Sequence, residues 1–103
     1  MIDFDKIEGF DWDAGNGRKN EKHGVTQAEA EQVFFNEALF ITADEGHSQS
    51  EHRHRALGKT SNGRLLMVIL TLRENETLIR VISARNMNAK ERKSYESETE
   101  KST

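Results

Sequence analysis

The sequence has no cysteine, which excludes disulfides and thiolate metal sites and leaves the core to hold itself together by packing. That suits a reducing compartment. Proline is absent too, and no segment repeats. Long apolar runs are missing: the longest, Leu65-Leu66-Met67-Val68-Ile69-Leu70, has strand length and falls far short of a bilayer span. The first residues, Met1-Ile2-Asp3-Phe4-Asp5, lack the basic start and apolar stretch of a signal peptide, so the chain is expected to be cytoplasmic. No phosphate-binding Gly-rich loop, Gly-x-Ser-x-Gly elbow or two-metal carboxylate cluster is present, so an enzyme on this chain is expected to work without metal or cofactor.

What is present is one domain's worth of chain, 103 residues with a net charge of −3. Residues 1–97 are read as the domain and 98–103 as a polar tail. The charge is unevenly spread. Residues 1–51 carry 4 Lys/Arg against 12 Asp/Glu, whereas residues 52–93 carry 10 against 3. A basic body inside an acidic chain points to a polyanion-binding face, or to two halves that neutralise each other in the fold.

Hydrophobic periodicity places the elements. Phe10 and Trp12 share one face of a short strand over 7–13. Asp13 suits the N-cap of a polar helix over 14–22 that stops near Gly24. Thr26 and Glu29 form a capping box for a helix over 27–36, with Ala30, Val33 and Phe34 on its buried stripe. Strands follow over 39–42, 52–59, 64–73 and 77–85, with Ser61-Asn62-Gly63 and Glu74-Asn75-Glu76 as turns. Asn88 caps a last helix over 89–96. The expected fold is α+β: an antiparallel sheet of four to five strands, with N-terminal helices and a C-terminal helix packed on it. Leu66, Val68 and Leu70, or their alternates, are expected in the core against Val33 and Phe34.

Four constellations carry possible chemistry. In the strand around Arg80, period two puts Ile79, Val81, Ser83 and Arg85 on one face and Leu78, Arg80, Ile82 and Ala84 on the other. Arg80 then either pairs with a carboxylate or faces a site. As a functional pair, Arg80 and Arg85 would clamp phosphate, with both reaching one site only at an edge or a bulge. Lys22-His23-Gly24 offers a charge and a proton-transfer group, or simply a basic helix end. His52 and His54 share a strand face, with His47 nearby. Without a placed carboxylate they read as a polar edge rather than a metal site. On the last helix, Glu91 and Tyr95 are neighbours, as are Arg92 and Glu96, and Tyr95 either packs on the sheet or lines a site.

The motifs Phe10-x-Trp12-Asp13, Asn20-x-Lys22-His23-Gly24-Val25, Ala30-x-x-Val33-Phe34, Gly58, Gly63-Arg64, Arg80-x-Ile82-Ser83-Ala84-Arg85 and Glu91-Arg92-x-x-Tyr95-Glu96 occur in the order seen in the BrnT toxin family. The chain resembles that family from about Phe10 to Glu96. The resemblance implies a compact RelE-like ribonuclease fold, metal-free RNA cleavage that shuts down translation, and a BrnA-type antitoxin partner through which the complex binds its promoter DNA. It raises Lys22, His23, Arg80 and Arg85 to catalytic candidates; Arg64, Ser83, Arg92 and Tyr95 are the candidate RNA or phosphate contacts, Ser83 from the face it shares with Arg85. The segment His52-Arg53-His54-Arg55 is more basic than the family strand. A second class stays open: an inactive binding module that docks an antitoxin or nucleic acid through its basic face.

Overall fold

The computed structural model describes residues 2–13, 23–44 and 52–101. The expected 14–22 helix and His47 lie outside the described residues. A single 3₁₀ turn at Phe4–Lys6 precedes β1 (Gly9–Phe10), α1 (Gln27–Gln32), β2 (Phe40–Ala43), β3 (Arg53–Lys59), β4 (Leu65–Arg73), β5 (Leu78–Asn86) and α2 (Ala89–Lys101). The strands form one sheet in the order β1-β5-β4-β3-β2. The meander β2–β5 is antiparallel, as expected. The edge differs: β1 runs parallel to β5, with Gly9 opposite Leu78 and Phe10 opposite Ile79.

Capping explains where the helices start. Thr26 and Glu29 exchange both bonds of the box, the Thr26 hydroxyl accepting from the Glu29 N–H and the Glu29 carboxylate from the Thr26 N–H, each at 3.1 Å. Asn88 and Glu91 do the same at the start of α2: the Asn88 carbonyl oxygen accepts from the Glu91 N–H at 2.8 Å, and the Glu91 carboxylate from the Asn88 N–H at 2.9 Å. Two extents differ from expectation. The first helix ends at Gln32 rather than 36 and gives way to turns. There Asn36 turns its side chain to the Lys59 carbonyl and the Ser61 hydroxyl. The last helix continues through 97–101, where a tail was expected, and the Thr99 hydroxyl bonds back to the Tyr95 carbonyl.

The sheet has two unlike faces. The α1 face holds the main core: Val25, Ala30, Val33, Ala56, Leu66, Val68, Leu70, Ile79, Val81 and Ala84 are buried together, with Phe10, Trp12 and Phe34 packed around them. Fully burying one such aliphatic side chain contributes about 1.5–3 kcal/mol. Gly58 lets α1 approach here, since a Cβ at that position would stand 2.7 Å from Val33 Cγ1. On the opposite face α2 covers one end with a smaller cluster, Met67, Met87 and Tyr95 against Phe40, Leu57 and Ile69. Among the described residues, no further helix covers that face.

One irregularity sets the site. In the β4–β5 ladder Ile69 pairs with Ser83, but Leu70 pairs with Val81, so Ile82 is an extra residue in β5. A bulge reverses the inside–outside alternation beyond it. Val81 and Ala84 therefore both reach the main core. The regular-strand expectation that Arg80 opposes Ser83 and Arg85 is corrected: all three belong to the open face.

Candidate nucleic-acid interface

Cross-strand register assembles an arginine row on that face. Arg55 is aligned through Ile69 with Ser83, Arg53 through Thr71 with Arg80, and Leu57 through Met67 with Arg85. Residues directly opposite across an antiparallel pair point to the same side. Four guanidinium-bearing positions, 53, 55, 80 and 85, thus share one face, drawn from two strands on either side of β4. Between them lies a shallow cleft of about 320 Å³, lined by Asp44, Arg53, Arg55, Met67, Ile69, Ile82, Ser83 and Arg85. Its polar rim and apolar floor suit a sugar–phosphate chain better than a compact apolar ligand.

The arginines differ in how they are held. Arg85 grips Glu91 with both ends of its fork, at 2.8 and 3.0 Å, and also donates to the Asn86 carbonyl at 3.1 Å. Burial by itself would raise the Glu91 carboxyl. The bonds from Arg85 and from the Asn88 N–H, with the charges of Arg85 and Arg55, outweigh it and hold the group below the usual carboxylate range. Glu91 in turn keeps Arg85 more firmly protonated. Arg80 bonds Asp13 at 2.7 Å and Asp11 at 3.4 Å, tying the segment after β1 to β5. Asp13 accepts from Arg80, and the helix it was expected to cap lies outside the described residues. Arg55 is exposed and forms no ion pair among the described residues; its charge reaches Glu91 at longer range.

The remaining residues singled out in the sequence fall elsewhere. Arg64 lies on the α1 side. It donates to the Gly24 carbonyl at 2.8 Å, to Glu29 at 3.0 Å and to the Asn86 side chain at 2.7 Å. The Thr26 N–H, then Arg64, lower the Glu29 carboxyl. His23 is exposed beside Gly24, so it sits at the sheet end where Arg64 is anchored. Asn86 joins the two groups, bound by Arg85 through its carbonyl and by Arg64 through its side chain. Lys22 lies outside the described residues. Arg92 is exposed at the start of α2, with one nitrogen 3.3 Å from the Met87 carbonyl. Tyr95 is buried against Phe40, and its hydroxyl donates to the Ala38 carbonyl at 2.7 Å. Burial pushes that phenol up.

His52 and His54 do share a side, their rings edge to face at 4.9 Å. Burial, then the neighbouring His52, pulls His54 below the ordinary imidazole value. Among the described residues, no group of three or more His, Asp or Glu side chains is placed to hold a metal ion.

Arg53 and Arg55 stood out in the sequence only as part of a basic segment and were not named as site residues. Their signal was there: arginines two apart on a strand share a face.

A family model described as ribonuclease toxin, BrnT, of type II toxin-antitoxin system matches residues 12–91. The match takes in the arginine cleft, Asp13 and Glu91, and begins one residue after Asp11. No curated protein matches the chain.

Proposed function

The chain belongs to the BrnT family of ribonuclease toxins, and from that membership we propose that it cleaves RNA without a metal, inhibits translation in the cytoplasm, and is held inactive by a cognate antitoxin. The observation that carries the reading is the β5 bulge, which brings Arg80, Ser83 and Arg85 onto the face that also bears Arg53 and Arg55.

Metal-free cleavage of RNA uses the substrate's own nucleophile. The 2′-oxygen attacks the adjacent phosphorus, its proton leaves to a base, the P–O5′ bond breaks, and O5′ takes up a proton. The products are a 2′,3′-cyclic phosphate and a 5′-hydroxyl. Extra negative charge collects on the phosphoryl oxygens on the way. Fixed cations aimed at those oxygens stabilise the transition state more than the ground state. Arg85 is the best placed for this, because Glu91 and the Asn86 carbonyl fix its guanidinium before substrate arrives. Arg55 adds an exposed cation and Ser83 a hydroxyl in the same cleft. Arg80 holds the β1 segment at the far end of the row through Asp11 and Asp13. His23 is assigned the proton transfer, from the sheet end that Asn86 links to the cleft, and Lys22, its neighbour in the sequence, is assigned a supporting positive charge. Arg64 positions that end, and Arg92 extends the basic surface toward α2.

A second reading is favoured by one observation: Arg64, Arg80 and Arg85 are each ion-paired within the chain. Arginines already engaged in this way suit a scaffold that binds RNA or antitoxin without turnover. Expression of the chain alone, and with the product of the adjacent reading frame, separates the two. Growth arrest with fragmented RNA, both relieved by the neighbour, is the expected result. Intact RNA in arrested or growing cells supports the binding module.

A further inference from the structure

Among the described residues, the two large hydrophobic side chains left exposed, Phe4 at 43 % and Phe35 at 76 %, stand on the same groove. It measures about 320 Å³, and Phe10 and Phe34 complete its aromatic wall. Phe10 is the hub of that wall, its ring 5.8 Å from Phe34 and 6.2 Å from Phe35. The groove lies on the α1 face, opposite the arginine cleft. Exposed aromatic clusters mark association surfaces, and aromatic anchors in pockets supply most interface energy. Among the described residues, the arginine cleft offers no exposed large hydrophobic side chain.

The rim defines the occupant. Glu8 lines the groove, and Asp3 and Asp5 flank Phe4; all three are exposed. Against these three carboxylates beside the groove stands one base, Lys6 of the same 3₁₀ turn. A second copy docking symmetrically would set these carboxylates against themselves. The adjacent sheet edge, β1, is two residues long and offers little ladder for an added strand. A helix with an apolar side and a basic side meets both the aromatic wall and the acidic rim.

We propose that this groove seats a basic amphipathic helix of the antitoxin, its apolar side on the four phenylalanines and its Lys or Arg side chains toward Asp3, Asp5 and Glu8. The proposal rests on the toxin–antitoxin reading. It puts the main grip on the face opposite the basic one, where the charge pattern of the sequence alone would put it.

The test is isothermal titration of the full-length chain with the purified product of the adjacent reading frame, at low and high salt. Phe35→Asp should weaken binding at least about 30-fold, the loss of one aromatic anchor worth about 2 kcal/mol. The triple variant Asp3→Asn, Asp5→Asn, Glu8→Gln should flatten the salt dependence. Arg55→Glu, on the opposite face, should bind as wild type. Melting curves accompany each variant; should Phe35→Asp melt early, Phe4→Ser takes its place. Wild-type affinity in the groove variants with loss in Arg55→Glu overturns the proposal and leaves the antitoxin reading standing. No binding by the wild-type chain overturns the antitoxin reading and the proposal together.

Discussion

Arg85 and Glu91 are joined by two parallel hydrogen bonds, 2.8 and 3.0 Å long, that lock the end of β5 to the first turn of α2. The same carboxylate closes the Asn88 capping box. One buried glutamate thus starts a helix and aims an arginine into the open cleft. At neutral pH, Glu91→Gln should keep most of the cap but lose the charge-assisted pair, lowering stability by about 1–2 kcal/mol in urea unfolding.

The pair also sets an acid limit. A carboxyl held low in the fold gives stability that is present above its unfolded pKa and is lost as pH falls through the folded one. Glu91 and Glu29 are both held low. The melting temperature should therefore fall as pH drops below the ordinary glutamate value of about 4.3. Glu91→Gln should show a shallower fall over that range. An unchanged slope would mean that the pair contributes nothing to folding.

Gly58 marks the closest approach of α1's C-terminal end to the sheet. With a Cβ placed 2.7 Å from Val33 Cγ1, one of the two elements has to shift. Gly58→Ala should cost about 1–3 kcal/mol. Adding Val33→Ala removes the clashing methyl and should make the double mutant less destabilised than the two single losses summed. Strict additivity would show that the contact is not the cause.

Tyr95 is expected to act through packing. Tyr95→Phe keeps the ring on Phe40 and loses only the bond to the Ala38 carbonyl, at a cost of about 1 kcal/mol. RNA cleavage by the folded variant should match wild type. A large drop in rate with normal stability would place the phenol in the chemistry.

Much of this architecture was legible in the chain. Thr26 and Glu29, and the cap at Asn88, carry local signals that need no tertiary knowledge. The unbroken apolar run of β4 and the period-two pattern of β5, with turn residues on either side of β4, placed strand bounds within a residue or two. The bulge was not legible, because Ile82 becomes an extra residue only through its register with Ile69 and Leu70 across the sheet. Without it, Arg80 falls on the wrong face. The partners of the arginines were equally hidden: Asp13 and Arg80 lie 67 positions apart, and their pairing depends on β1 running parallel to β5. The early end of α1 was masked by Phe34, which fits the helical stripe yet belongs to the turn where Asn36 reaches the β3 end.

The central claim is that the open arginine cleft cleaves RNA, and Arg85 with Arg55 tests it most directly. The measurement is the single-turnover rate of RNA cleavage, in excess EDTA, by chain purified away from its antitoxin. Melting temperatures are taken on the same samples. Arg85→Ala should lower the rate about 10²–10³-fold, as loss of a preorganised charge-stabilising donor does. Arg55→Ala should lower it less and stay within about 0.5 kcal/mol of wild-type stability, as an exposed side chain that has no ion pair among the described residues should. Wild-type cleavage by both variants in the folded state, or no cleavage by the wild-type chain until a divalent cation is restored, would contradict the account.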